Sequence, residues 1–443
     1  MFWYLAIYAV WSIVGAVWVI SRCEHAALAW AWALAMIVCA PLATLLYYLV
    51  NVPRENYGES YCHHSYSRLQ NAVVTGCGSL LTLHNRVQAL HNGDATFASL
   101  LRDIQRAQRE IDVEYYILSS DRVGRALLRL LERRARAGVK VRILYDSIGS
   151  WSLRGVDSGR MVRSGIEIIP HAPLRFPWLV RSLHRRNHRK VVVIDGCIAY
   201  LGGINVAWRY LHGGPLGFWR DEHIRIEGAA VQQVRSLFEA DWRAAGGTMP
   251  MMRAATQHIS TICPMQIVWS QEGPSRHAYQ RVLMEAVASA RHEIRISTPY
   301  FLPSRALQEM IISAARSGVK VELLLPRETD VRIVSWAMES YVERCLRAGV
   351  AVYRYGGGFL HSKTVSIDDG VAIVGSANID CRSLCYNMEV AAIIYSRTAV
   401  AEYISQFRAD VALSEQLSPK MYDHVPFARR LVCGLARLFA PLL

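Results

Sequence analysis

The sequence predicts an α/β protein made of a duplicated unit behind a pair of apolar helices. Three observations carry this. An eighteen-residue pattern occurs twice, as HRKVVVIDGCIAYLGGIN (188–205) and HSKTVSIDDGVAIVGSAN (361–378). The same order of helix and strand signals surrounds both copies. Two long runs without charge stand at the N-terminus.

The runs come first in the chain. Residues 2–20 are uncharged, and so are residues 26–50, with SRCEH as the link between them. Each is long enough to cross a bilayer core. A cleaved signal peptide fits poorly, because no basic segment leads in and a second apolar run comes at once. Residues 1–50 are therefore expected to form a membrane hairpin, with Trp and Tyr near its ends suited to the interface. Only Arg22 and Glu24 are charged in these fifty residues, so the net charge of +14 belongs to the remainder of the chain. That charge calls for an anionic partner, a membrane surface or a nucleic acid. Residues 51–97 are expected only to link anchor and body.

Beyond residue 97 the chain runs through two parallel series. FASLLRDIQRAQREIDVEYYIL (97–118) and AYQRVLMEAVASARHEIRISTPYFL (278–302) each read as helix then strand. ALLRLLERRARAGVKVRILY and ALQEMIISAARSGVKVELLL then each read as a helix closed by glycine and continued by an apolar strand. Glu110 and Glu293 are 183 residues apart, Gly138 and Gly318 180, His188 and His361 173. This near-constant offset indicates two repeated domains, placed at 98–260 and 261–425. Alternating helices and strands put helices on the faces of each sheet. The tail 426–443 is expected to be amphipathic, with Arg429, Arg430 and Arg437 among apolar residues, either packed on the body or lying in the membrane interface.

The chemistry lies in the repeated pattern, H-x-K-x4-D-x6-G-[GS]-x-N. Residues i and i+2 of a strand share a face, so His188 projects with Lys190 and His361 with Lys363. An imidazole, an ammonium and an amide on one surface suit a phosphodiester: cation and amide hold the non-bridging oxygens, while histidine attacks phosphorus or moves a proton. The catalytic set is His188, Lys190 and Asp195 with His361, Lys363 and Asp368. Within it the two aspartates are expected to hold the strand end and turn rather than touch phosphate. Asn205, Asn378 and Ser376 are the expected phosphate contacts. Because the lysines supply positive charge, no metal or other cofactor is required. Ten cysteines show no metal-type pair and read as free thiols.

The paired motifs, with DVEYYI (112–117), NHRKVVVIDG (187–196), STPYFLP (297–303) and VGSANIDCRSL (374–384), resemble the phospholipase D superfamily, and bacterial cardiolipin synthases within it. The resemblance implies two α/β/α sandwich domains sharing one active site. It implies His188 as nucleophile and His361 as acid and base, roles on which the residues alone are symmetric. It also implies orienting carboxylates: Asp221, 33 residues after His188, and Glu389, 28 after His361, with Glu222 a rival in the first half.

The implied reaction joins two phosphatidylglycerol molecules into cardiolipin and glycerol at a bacterial inner membrane, with the body on the cytoplasmic side. Anionic lipids, not nucleic acid, are then the partners. A basic aromatic stretch at 170–190, with Arg175, Phe176, Trp178, Arg181, Arg185 and Arg186, is a candidate for headgroup contact. GGPLGFW (213–219) is expected to be a flexible loop near the site. A hydrolase or a transferase with another alcohol acceptor needs the same residues; a superfamily nuclease or a non-catalytic membrane scaffold remains a further alternative.

Overall fold

A computed structural model describes residues 2–22, 26–50, 67–153, 156–173, 185–249 and 259–440. The chain divides into two compact units, Met1–Glu55 and Asn56–Pro441.

The first unit is the expected hairpin, with helices Phe2–Arg22 and Ala26–Val50. Trp3–Ile20 and Ala29–Tyr47 are long and apolar enough to cross a membrane. Pro41 lacks an N–H and its ring displaces the preceding turn. The second helix accordingly kinks at Cys39, which leaves helical geometry. Tyr8 of the first helix patches the break: its hydroxyl donates to the Val38 carbonyl at 2.9 Å and accepts from the Ala40 N–H at 3.2 Å. Kinked helices persist in apolar surroundings where a neighbour satisfies the freed groups in this way.

The second unit is a two-half α/β body. Its first-half strands are β1 (Thr82–His91), β2 (Glu110–Tyr115), β3 (Lys140–Asp146), β4 (Glu167–His171), β5 (Lys190–Ile194), β6 (Ile198–Gly202), β7 (Trp219–Arg220) and β8 (Glu222–Gly228). The second half has β9 (Ile262–Ser270), β10 (Glu293–Ser297), β11 (Lys320–Pro326), β12 (Ala351–Tyr355), β13 (Phe359–Leu360), β14 (Thr364–Ile367), β15 (Val371–Gly375), β16 (Glu389–Ile394) and β17 (Ser414–Gln416). Fifteen of them form one continuous sheet in the order β4-β3-β2-β5-β6-β8-β1-β9-β16-β15-β14-β10-β11-β12-β17. Read outward from the β1–β9 seam, both halves run through the same sequence of strands, so the duplication is structural.

The expectation of a linker over residues 51–97 is corrected for its described part. Helix Arg68–Cys77 opens on a capping box, Ser67 and Gln70 each bonding the other's backbone N–H. β1 then pairs antiparallel with β8 on one side and β9 on the other, closing the seam. Its polar residues His84, Asn85, Arg86 and Gln88 hide the alternation from a hydrophobicity reading. Asn85 is nonetheless fully buried, because its side chain donates to the Cys263 carbonyl and accepts from the Ala230 N–H.

Helices Asn92–Arg106 and Arg122–Arg136 cover one face of the first half. Helices Ala278–Ser289, Arg305–Arg316 and Arg332–Arg347 cover the matching face of the second. The GVKV glycines, Gly138 and Gly318, adopt left-handed φ of +91° and +93° and end their helices as expected. The third core joins the halves. Val191, Val193, Ile224 and Ile226 pack with Ala372, Val374, Val390 and Ile394 under helices Ala230–Ala244 and Arg397–Ala412. Each such buried aliphatic contributes roughly 1.5–3 kcal/mol, so the halves adhere through a true core.

The tail forms helix Phe427–Leu438. Cys433 and Ala436 are buried, while Phe427, Leu431, Leu435 and Leu438 stay exposed. Packing on the body thus uses only the narrow small-residue side. The eight described cysteines are all free thiols.

The motif aspartates do what the sequence assigned them. Asp195 and Asp368 sit at φ of +52° and +51°, a region that aspartate tolerates better than most side chains. The Asp195 carboxylate accepts the backbone N–H groups of Gln108, Arg109 and Glu110; that of Asp368 accepts those of Arg291, His292 and Glu293. Each pins its motif hairpin to the entrance of the neighbouring central strand. Asp195→Ala is therefore expected to lower the unfolding free energy by about 1.5–3 kcal/mol, and Asp195→Asn by less. An unchanged thermal midpoint for the alanine variant would contradict this.

Candidate active site

The two H-x-K pairs come together where the halves meet. The segment leading into each histidine runs beside the segment of the other half that leads into a carboxylate. The His188 N–H donates to the Met388 carbonyl at 3.0 Å, and the His361 N–H to the Arg220 carbonyl at 2.7 Å. β13 and β7 pair in parallel across the same junction.

The carboxylates consequently cross over. Glu389, the first residue of β16, holds His188 Nδ1 at 2.9 and 3.1 Å. Asp221, immediately before β8, holds His361 Nδ1 at 2.5 Å. The two acids were expected to serve the histidine of their own half; each serves the other's. Spacing along the chain could not show this, because the crossing depends on how the halves dock. Glu222 drops out as a rival, since it binds His91 at 2.8 Å and also pairs with Arg220. A carboxylate on Nδ1 fixes the proton there and leaves Nε2 with its lone pair for chemistry.

Burial works on every charge in the site. It lowers the pKa of His188, opposed by Glu389 and reinforced by Lys190. It lowers that of His361 to about 4, helped by the Lys363 charge against the pull of Asp221. Burial and the neighbouring Lys363 ammonium bring Lys190 down to about 7, although Glu389, Asp221 and Asp146 oppose them. Lys363 is lowered likewise by burial. Burial would raise Asp221 and Glu389, but it is outweighed: by Lys363 and His361 for Asp221, and by His188 and Lys190 for Glu389. The site thus sets two neutral imidazoles and two lysines, Lys190 near its midpoint at neutral pH, against the two ionised carboxylates. Each ammonium bonds the carbonyl of the histidine two residues back, Lys190 at 2.5 Å, which keeps the i, i+2 pair together.

Other expected contacts are corrected. Ser376 was expected to touch phosphate, but its hydroxyl donates to Glu389 and accepts from the Val390 N–H. It braces the carboxylate that orients His188. Gly203, at the matching place, has no room for a side chain: a Cβ there would collide with the Asp221 carboxylate. The one motif difference therefore tracks the longer and shorter acids. Asn205 accepts from the Ile117 N–H at 3.1 Å and donates to the Tyr210 hydroxyl at 2.6 Å. Asn378 donates to Asp380 at 3.0 Å, and its Oδ1 is buried without a hydrogen-bond partner. Each amide nitrogen keeps a second N–H, but both side chains brace the site's loops.

Sequence reading missed the aromatic walls. Tyr116 lies edge-on to His188 at 4.9 Å, while Trp219, Tyr210 and Phe359 surround His361 at 5.1, 5.6 and 5.7 Å. Trp219 ends the glycine-rich stretch expected to be a flexible loop; it is buried. Of the basic aromatic stretch, Arg175, Phe176, Trp178 and Arg181 lie outside the described residues. Arg186 is buried on Asp146 at 2.7 Å, and Arg189 spans the seam, reaching Asp241 and the Ser270 carbonyl. Both are structural cations rather than headgroup contacts.

The family described as "Cardiolipin synthase, PLD-like domain" matches residues 100–242 and 283–411, one segment per half. The chain belongs to the cardiolipin synthase family. It is 35% identical to a cardiolipin synthase of Geobacillus kaustophilus over 374 residues, 82% of this chain and 73% of that one. It is 35% identical over 367 residues to a probable cardiolipin synthase of Bacillus subtilis, covering 81% and 72%. Among solved structures, a phosphatidylserine synthase of Haemophilus influenzae shares the fold with a TM-score of 0.59 at 15% identity, covering 80% of this chain and 93% of that one. A polyphosphate kinase of Porphyromonas gingivalis gives 0.52 at 16%, covering 81% and 54%. This cardiolipin synthase-family site is built across its own duplication.

The charges set a pH profile. If Lys190 binds phosphate as an ammonium, that binding is lost as pH rises through about 7. If His188 attacks as the neutral imidazole, attack is lost only as pH falls below its lowered pKa, under 6.5. Once bound, an anionic phosphodiester favours the ammonium. In mixed micelles kcat/KM should fall above about pH 7, and kcat at higher pH. Alkaline limbs at the same pH in both would contradict the assignment.

Proposed function

We propose that the protein is a cardiolipin synthase that transfers a phosphatidyl group from one phosphatidylglycerol to a second, releasing glycerol. The observation that supports this most is the pair of histidines, each held at Nδ1 by a carboxylate of the opposite half, in a chain of this family. His188 Nε2 attacks phosphorus, and the bond from phosphorus to the glycerol oxygen breaks. His361, protonated with the bound anion, gives its proton to that leaving oxygen. The acceptor hydroxyl then loses its proton to His361 as its oxygen attacks phosphorus; the P–N bond breaks and His188 is restored. Lys190 and Lys363 neutralise the non-bridging oxygens, aided by the remaining N–H groups of Asn205 and Asn378. Splitting one displacement into two keeps each barrier lower. The reaction draws its positive charge from these lysines and uses no metal.

Two apolar helices and family membership support membrane association. We assign the hairpin two full spans and the body to the cytoplasmic face, because Arg54 and the +14 chain favour the anionic, positive-inside side. Phosphatidylglycerol and other anionic lipids are the partners; the apolar hairpin argues against nucleic acid.

Lipid mass analysis after incubation with phosphatidylglycerol vesicles in EDTA tests the reading. Cardiolipin and glycerol should appear with the intact chain, and fall at least about 10²-fold in His188→Ala and His361→Ala. Phosphatidic acid as sole product would make the protein a hydrolase. No lipid product would overturn the proposal.

A further inference from the structure

Beside the histidines, a cavity of about 540 Å³ runs between the halves. Arg185 and Arg276 both line it, together with the segment Tyr386–Met388. That segment is the one whose Met388 carbonyl accepts the His188 N–H and whose next residue is Glu389. Arg185 is three residues before His188, so their Cα atoms are at most about 11 Å apart. The cavity therefore shares two walls with the catalytic centre without containing its histidines or lysines.

Its electrostatics call for an anion. Arg276 is lowered by burial and by the neighbouring Arg185 charge, so the two guanidinium groups press on one another. Glu272 is the single carboxylate among the described lining residues; it is exposed and already pairs with Arg185, and the Cys385 thiol, lowered to about 5 by Cys381, His277 and Arg276, is the other acidic group. Neither Lys190 nor Lys363 lines the space, so its positive charge is separate from that serving the reacting phosphorus.

Resting on the cardiolipin synthase reading, the geometry points to a second phosphate site: Arg276 and Arg185 hold the phosphodiester of the acceptor phosphatidylglycerol. A transfer between two such lipids must place two anionic phosphodiesters one glycerol apart. The first lies on the lysines. The second needs cations of its own, and this cavity, beside the segment that carries Glu389, provides them. Water or a neutral alcohol attacking the same phosphohistidine carries no phosphate and makes no use of it. The arginines act on acceptor choice and leave the covalent steps to the histidines.

One donor with two competing acceptors tests this. Vesicles of phosphatidylglycerol are supplied with labelled glycerol, whose attack on the phosphatidyl-enzyme returns labelled phosphatidylglycerol, while attack by lipid gives cardiolipin. Arg276→Gln should lower the ratio of cardiolipin to labelled phosphatidylglycerol about tenfold by raising KM for the lipid acceptor. Arg276→Lys should restore much of it. Arg185→Gln should shift the ratio the same way, and covers the case in which Arg276→Gln does not fold. An unchanged ratio in both glutamine variants overturns the inference, as does an equal loss of both products. A wild-type chain that exchanges glycerol but makes no cardiolipin denies the acceptor site alone; one that does neither denies the proposed function with it.

Discussion

Each motif histidine of this protein, His188 and His361, is held by an acid from the other half of the chain, and neither contact can form without the other half in place. Everything around the site serves that exchange. The seam strand β1 joins the two halves of the sheet. Val191 and Val193 of one half share a core with Val374 and Val390 of the other. Arg189 crosses the same junction as a fully buried cation, meeting Asp241 and the β9 end at Ser270. A buried cation without its partners is strongly destabilising, so this group also penalises any other docking of the halves.

The crossing explains why a duplicated fold yields one site rather than two. A half alone carries a histidine, a lysine and a carboxylate, but the carboxylate holds the histidine of the other half. Only the docked pair gives each imidazole a fixed proton on Nδ1. Asymmetry then enters through small differences. Glu389 is one methylene longer than Asp221 and is braced by Ser376, where Gly203 makes room for the shorter acid. Lys363 lies 3.6 Å from Asp221 and 2.8 Å from His361 Nδ1, a tighter cluster than surrounds His188. Two copies of one motif thereby become two unlike environments, as a division into nucleophile and acid requires.

Much of this was legible in the sequence, and the illegible parts have physical reasons. The hairpin, the repeat and the motif histidines are written in local patterns: uncharged length, glycine-closed helices, and i, i+2 spacing. The partner of each histidine is not, because it depends on docking two domains and not on distance along the chain. Strand β1 escaped because its buried polar residue, Asn85, is satisfied by bonds to Cys263 and Ala230 that no hydrophobicity reading registers. The helix before it, opened by the Ser67–Gln70 capping box, went unread with it. Ser376 looked like a phosphate ligand because nothing in the motif says that Glu389 lies within reach. Tyr116 stands in DVEYYI and Trp219 in GGPLGFW, but nothing in those stretches marks them as walls of the site, and Tyr210 and Phe359 belong to neither; their role comes from where the chain places them.

The central claim is the crossed pairing, and histidine titration by NMR on the full-length protein tests it most directly. Glu389 raises the pKa of His188 against burial, and Asp221 raises that of His361. Glu389→Gln should therefore lower the His188 pKa more than that of His361, and Asp221→Asn the His361 pKa more than that of His188. A larger response of each histidine to the acid of its own half, or of both histidines to either substitution equally, would contradict the account.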